Sequence, residues 1–292
     1  MKIKLGIFAN GERGLSCIEY LKKKKNYTLS LIIVKKKNDV LYKKLKKLKL
    51  SVLKSKNINS LKEIAQIKKL NLDFLLVCGY PDILKEKIIK LPKYCILNLH
   101  AGSTKDYRGG SPLNWHLIND EKFIQISVIK MNKLIDGGML VDKKKIPISK
   151  KDYISNLHSK VNKTFPYLLE SSIKKIIKKK KIKKINIKKT TYWHQRDDRD
   201  GKIDFKTMNS EGIHNLIRAL SKPYNGAWAL INKKHKIRFF RSTKSKNKIR
   251  GNPGKIVFIK EYGMCLICKD KALIIEEFAT NYNRKLNGLI LT

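Results

Sequence analysis

Four short apolar runs alternate with helix-length segments in the first hundred residues, and this alternation limits the fold more than any other feature of the chain. Residues 3–9, 29–34, 72–78 and 95–99 are short and dominated by Ile, Leu, Val and Phe, as buried strands are. Between them, residues 15–24, 40–50 and 60–69 carry apolar side chains at helical spacing, and Ser60 stands where an N-cap belongs. Pro81 suits the first turn of a further helix. Strands separated by crossovers of helix length pair in parallel. The prediction is an α/β fold whose N-terminal part is a doubly wound, mostly parallel sheet.

The texture changes further along. Residues 112–119 read as a helix that Ser111 could cap, 124–131 as a strand, and 152–179 as a long helix bent at Pro166. The lysine-rich stretch that follows, with Ile182, Ile185 and Ile187, leads out of the first domain. A helix over 210–221 precedes five strand-like runs at 227–231, 236–241, 254–259, 264–268 and 272–278, punctuated by Asn252-Pro253-Gly254 and Tyr262-Gly263. One helix followed by five short strands predicts a small C-terminal β-barrel of the OB type. The expected division is 1–189 for the first domain, 190–209 for a linker and 210–292 for the barrel.

The 292 residues leave room for two cores. A net charge of +44 is the compositional outlier, and only 9 of the 67 basic residues are arginine. Nucleic-acid readers cluster their basic residues and use arginine for base edges. Here lysine is spread along the whole chain and enriched together with Ile and Asn, which marks a biased solvated surface that still attracts phosphate-bearing substrates. Cys17, Cys78, Cys95, Cys265 and Cys268 are odd in number and sit on apolar runs, as buried free thiols of a reducing compartment do. The lone Cys265-Leu-Ile-Cys268 has no second ligand pair, so no metal is expected. Without a basic-then-apolar leader or an apolar stretch of about 18 residues, the expectation is a soluble cytoplasmic protein with no membrane partner.

Ligands of open α/β sheets bind beyond the carboxyl ends of the strands. Three such ends carry unusual residues: Asn10-Gly11-Glu12-Arg13-Gly14, Cys78-Gly79-Tyr80-Pro81 and Asn98-Leu99-His100. Residues i and i+2 of a strand face one side, so the Asn98 amide and the His100 imidazole would enter one crevice. That pair suits acyl transfer between nitrogens, where an oxyanion needs a donor and a proton must be shuttled. Asp136, before Gly137 and Gly138, is a carboxylate able to orient the ring and favour its charged form. Each piece alone is a common turn or core feature; the spaced set is not.

Asn98-Leu-His100, then residues 107–115 (Tyr-Arg-Gly-Gly-Ser-Pro-Leu-Asn-Trp), then Asp136-Gly137-Gly138 resemble the formyltransferase family that uses 10-formyltetrahydrofolate, in order and gaps as well as letters. Residues 217–220 and 223–227 resemble the start of that family's C-terminal barrel, so the likeness covers nearly the whole chain. The resemblance implies a Rossmann-like catalytic domain in which His100 transfers the proton, Asn98 stabilises the transition state and Asp136 tunes His100. It also implies a folate co-substrate held by Asp82, Ile83 and Leu84 with Asn132, Lys133, Leu134 and Ile135. Asn10, Gly11, Tyr80, Tyr107 and Arg108 are the candidates for the second substrate. Two departures stand out. The family's Ser-Leu-Leu-Pro stretch is replaced at residues 101–106 by Ala-Gly-Ser-Thr-Lys-Asp, which predicts a looser loop or one shaped for another acceptor. Gly110 stands where some members carry an arginine.

Two branches of the family share this plan, one acting on nucleotide-linked amino sugars and the other on initiator methionyl-tRNA. Residues 112–119 (Pro-Leu-Asn-Trp-His-Leu-Ile-Asn) and Tyr192-Trp193-His194-Gln195-Arg196 are closer to the sugar branch, and residues 35–50 lack the basic loop of the tRNA branch. The expected partners are therefore a folate co-substrate and a nucleotide-linked amino sugar, with methionyl-tRNA as the alternative; a homodimer is allowed. A non-enzymatic basic binding protein would have lost one of Asn98, His100 and Asp136, and all three are present.

Overall fold

A computed structural model describes residues 2–292. In chain order the elements are β1 (Ile3–Ala9), α1 (Gly11–Lys22), β2 (Tyr27–Lys35), α2 (Asp39–Lys47), β3 (Val52–Ser55), α3 (Leu61–Lys68), β4 (Phe74–Cys78), α4 (Glu86–Ile89) and β5 (Cys95–His100). There follow β6 (Arg108–Gly109), α5 (Pro112–Ile118), β7 (Phe123–Lys130), β8 (Met139–Pro147), α6 (Ile154–Ile177), β9 (Lys183–Lys184) and β10 (Tyr192–Trp193). The last are α7 (Ser210–Leu220), β11 (Ala227–Ile231), β12 (His235–Lys244), β13 (Ile256–Ile259), β14 (Gly263–Ile267) and β15 (Ala272–Thr280).

The chain divides into two compact units. The first holds residues 2–109, Ile124–Ile146 and Ser159–Trp193; the second holds Gly110–Phe123, Pro147–His158 and His194–Thr292. The first unit is built on an eight-stranded sheet of order β3-β2-β1-β4-β5-β7-β8-β9. From β3 to β5 the pairing is parallel, and β7 then joins β5 antiparallel. Because β4 returns beside β1, the strand order reverses there, and Asn10 and Gly79 lie at the carboxyl ends of the two strands; the Asn10 N–H donates to the Cys78 carbonyl at 3.2 Å. Every residue of β4 is buried, consistent with a central strand covered on both faces.

The second unit carries a five-stranded antiparallel sheet of order β11-β12-β15-β14-β13. The C-terminal residues link its two edges: Leu291 bridges Ile231 beside β11, and Ile290 bridges Lys255 beside β13. That closure covers edges that would otherwise expose unpaired backbone groups. Helix α7 buries Ile213, Leu216, Ile217 and Leu220, the spacing expected of one packed face.

Several local expectations need correction. Pro81 opens no helix; residues 81–85 are irregular and α4 begins only at Glu86. Ser111 does not cap α5: its backbone is left-handed (φ 50°), and its hydroxyl accepts from Gln195 Nε2 at 2.8 Å instead. Ser60 does cap α3, accepting the Glu63 N–H. Strands β3 and β8 carry polar residues at positions a buried run would fill with apolar ones, so their apolar signal in the sequence is faint.

All five cysteines are buried free thiols, and burial pushes Cys268 up to about 12, so it offers no ready thiolate. Among the described residues no His, Cys, Asp and Glu group could hold a metal, and no helix is long and apolar enough to cross a membrane.

Candidate active site

The site assembles at the carboxyl end of β5. Asn98 pairs with Ile129 and His100 with Ser127 of β7, so both side chains rise from one face of the sheet, two residues apart. The carboxylate that meets them comes from the connection between β7 and β8. Asp136 adopts a left-handed backbone (φ 45°), and a Cβ on Gly138 would stand 2.0 Å from the Lys130 carbonyl oxygen. Only glycine lets the chain pass that close, which turns the Asp136 carboxylate back over β5.

Asp136 is held through both oxygens. Oδ1 accepts from Asn98 Nδ2 at 3.1 Å, and Oδ2 accepts from the Gly109 N–H at 3.2 Å. The same Oδ2 lies 3.5 Å from His100 Nδ1. On its other edge His100 has Nε2 2.6 Å from the Tyr107 carbonyl oxygen. The imidazole is only 6% exposed and therefore has acceptors facing both nitrogens. A neutral ring can donate to one of them; an imidazolium donates to both. The Asn98 amide has two N–H groups and gives one to Asp136, leaving the other to donate elsewhere.

Around this group a second layer is equally specific. Arg108 is 7% exposed. It donates through Nη1 to Thr190 Oγ1 and through Nη2 to the Ile135 carbonyl, both at 2.7 Å. Among the described residues its buried Nε has no partner. Gly109 (φ 92°) lies against β10, where an added Cβ would meet the Trp193 carbonyl oxygen at 2.2 Å. The loop after His100 is tied down despite its missing proline: Thr191 N–H donates to the Lys105 carbonyl at 2.7 Å, and Trp193 Nε1 to the Asp106 carbonyl at 2.9 Å. Tyr107 stacks on Trp193 with ring centroids 5.7 Å apart.

The remaining candidates are distributed unevenly. Asp82 is paired with Lys35 Nζ at 2.7 Å, Ile83 is 70% exposed, and Leu84 is packed into the core under β4. Asn132 turns the next connection by accepting the Leu134 N–H through Oδ1 at 2.9 Å, and Lys133, Leu134 and Ile135 are exposed. Asn132 and Leu134 line a cavity of about 860 Å³ with Met131, Met139 and Ile187, whereas Asp82, Ile83 and Leu84 do not. Asn10 Oδ1 accepts from Asn38 Nδ2, and nothing lies within 4 Å of where a Gly11 Cβ would be. Burial holds the Tyr80 phenol up at about 12, its ring tilted against Phe8. Thr190 and Lys35 carried no local signal: each lies far in sequence from the group it contacts.

Known proteins resemble this chain in sequence and in fold. The profile described as formyl transferase matches residues 2–172, and that of the formyl transferase C-terminal domain matches residues 196–289. The bifunctional polymyxin resistance protein ArnA of Wigglesworthia glossinidia brevipalpis is 37% identical over 235 residues, which are 80% of this chain and only 35% of that protein. The chain thus spans about a third of that relative's length. The methionyl-tRNA formyltransferase of Caldanaerobacter subterraneus subsp. tengcongensis is 31% identical over 237 residues, 80% of this chain and 75% of the relative. An N-formyltransferase from Helicobacter canadensis, solved with folinic acid and dTDP-3-aminofucose, superposes with a TM-score of 0.71 at 22% identity. That superposition covers 96% of this chain and 100% of the other, a likeness of fold. With matches along both parts of its length, the chain belongs to the formyl transferase family.

Proposed function

We propose that the protein transfers the formyl group of 10-formyltetrahydrofolate to the primary amine of a nucleotide-linked amino sugar. The observation that carries this reading is the convergence of Asn98, His100 and Asp136, with one Asn98 N–H uncommitted and an acceptor facing each His100 nitrogen. The amine attacks the formyl carbon; a C–N bond forms while the carbonyl pair moves onto oxygen, where the free Asn98 N–H stabilises it. His100 relays the amine's proton, and Asp136, beside its Nδ1, stabilises the imidazolium that forms. Return of that proton to N10 of the folate releases it as the C–N10 bond breaks, leaving tetrahydrofolate and the formamide.

Exposed apolar side chains at Ile83, Leu134 and Ile135 suit the flat pterin of the donor, and the cavity beside Asn132 has room for it. The reduced folate and amino-sugar nucleotide named for the Helicobacter canadensis structure support the donor and the acceptor class. A second reading, formylation of methionyl-tRNA, is favoured by the net charge of +44 and by relatives of that name.

One assay separates these readings: 10-formyltetrahydrofolate is supplied with charged initiator methionyl-tRNA and, in parallel, with a panel of nucleotide-linked amino sugars. Formylation of a sugar nucleotide is expected, and activity on the tRNA alone would overturn the acceptor. His100→Ala should abolish transfer with the fold retained; near wild-type turnover by that variant would sink the mechanism.

A further inference from the structure

A second cavity in the first unit, of about 380 Å³, is walled by residues 103–106 after His100, by Gln125 and Leu140 of the sheet, and by residues of the 183–190 segment. Lys105, Lys143, Lys183, Lys184 and Lys189 line it. None of the five ammonium groups has an ion-pair or hydrogen-bond partner among the described residues. Elsewhere in the same unit Lys35 and Lys175 are matched to Asp82 and Asp142. The cavity's one carboxylate, Asp106, is engaged by the Ser103 hydroxyl at 3.1 Å. The Thr104 hydroxyl and the Gln125 and Asn186 side-chain amides likewise have no hydrogen-bond partner among the described residues.

Like charges around a concavity with partly apolar walls build a focused positive potential, here backed by neutral groups able to donate hydrogen bonds. A single anionic charge would leave most of the lysines unmatched. We propose that this cavity is a binding subsite for a compact oligoanion, two or more phosphate or carboxylate groups linked within a few bonds. The diphosphate of a nucleotide-linked acceptor and the γ-linked glutamate tail of a folate donor both have that chemistry. Either would lie along the loops of the candidate site: Tyr107, just beyond the cavity wall, gives its carbonyl to His100, and Thr190 on the opposite wall accepts from Arg108. Three of the lining residues, Ser103, Thr104 and Lys105, belong to the stretch that departs from the family pattern. The proposal goes beyond formyl transfer and stands or falls without it, because binding is read with ligands that cannot react.

Calorimetric titration of the full chain with inorganic pyrophosphate and with tri-γ-glutamate, at fixed ionic strength, tests it. One equivalent of at least one ligand should bind, and Lys105→Ala with Lys189→Ala should weaken it about tenfold or more. Lys105→Arg with Lys189→Arg should keep it within about threefold, as should a charge-matched control, Lys46→Ala with Lys68→Ala on α2 and α3. Preference for pyrophosphate assigns the site to the acceptor, and preference for triglutamate to the donor tail. Equal weakening in the control pair, or no saturable binding of either ligand, would overturn the proposal. Matching melting temperatures across the variants keep a loss of fold from being read as a loss of binding.

Discussion

Asp136 meets three groups of the site: one oxygen takes the Asn98 amide, and the other takes the Gly109 N–H and faces His100. Asparagine has nearly the same shape but must turn an NH2 toward one of those donors, and it carries no charge to stabilise an imidazolium. Asp136→Asn should therefore lower kcat by about 10²–10⁴ fold with a smaller change in KM, read by steady-state formylation. Arg108 ties the Ile135 carbonyl to Thr190, one step back from these groups, as a positioning residue would. Lysine cannot span both, so Arg108→Lys should reduce kcat about tenfold while leaving both KM values close to wild type. A rise in KM alone would instead mark Arg108 as a substrate contact.

Among the elements, the turn between β7 and β8 is the most constrained. Gly138→Ala puts a methyl against backbone, which cannot rotate away, so the loop must move. A loss of more than about 2 kcal/mol in denaturant unfolding is expected, together with loss of activity from a displaced Asp136. Helix α7 carries a different sensitivity. His214 is 7% exposed, its Nδ1 2.9 Å from Ser242 Oγ of β12, and burial lowers it from 6.5 to about 4. The folded protein thus holds this ring neutral where the unfolded chain protonates it. Its stability is fully present above pH 6.5 and is lost progressively as pH falls toward about 4. The loss amounts to at most ~3 kcal/mol. His214→Gln should flatten that part of the pH–stability curve, and an unchanged slope would show that the ring does not control it.

For the whole molecule, the excess of lysine sets the long-range field without choosing the fold. Acceptor kcat/KM should fall as salt rises from about 50 to 200 mM, several-fold for a small nucleotide sugar and far more steeply for a polyanion such as tRNA. Asp198 works against the field locally. Hydrogen bonds from Arg238, with Lys236 beside it, hold its carboxyl well below the usual carboxylate range. Since the pair is partly exposed, Asp198→Asn should cost only about 1 kcal/mol at pH 7. A depressed carboxylate contributes above its unfolded value and loses that contribution as pH falls, so variant and wild type should converge in acid.

The alternation of apolar runs determined the parallel sheet by itself, because a strand buried on both faces has to be continuously apolar and a crossover has to be long enough for a helix. Asn98 and His100 were legible for a similar reason: two residues apart on a strand, they share a face whatever surrounds them. Ser60 was legible as a cap because a cap is local. Ser111 looked equally suitable, yet its hydroxyl goes to Gln195, 84 residues away, and that competition has no trace in the local sequence. Strands β3 and β8 were faint because their polar residues weaken the apolar run by which a buried strand is recognised. Only the tertiary structure decided how Asp136 reaches His100, that Tyr107 supplies a carbonyl, that Arg108 is spent on Thr190 and Ile135, and that scattered lysines meet in one cavity. Those are pairings between segments far apart in the chain, fixed by how the backbone packs, and periodicity along a sequence carries no record of them.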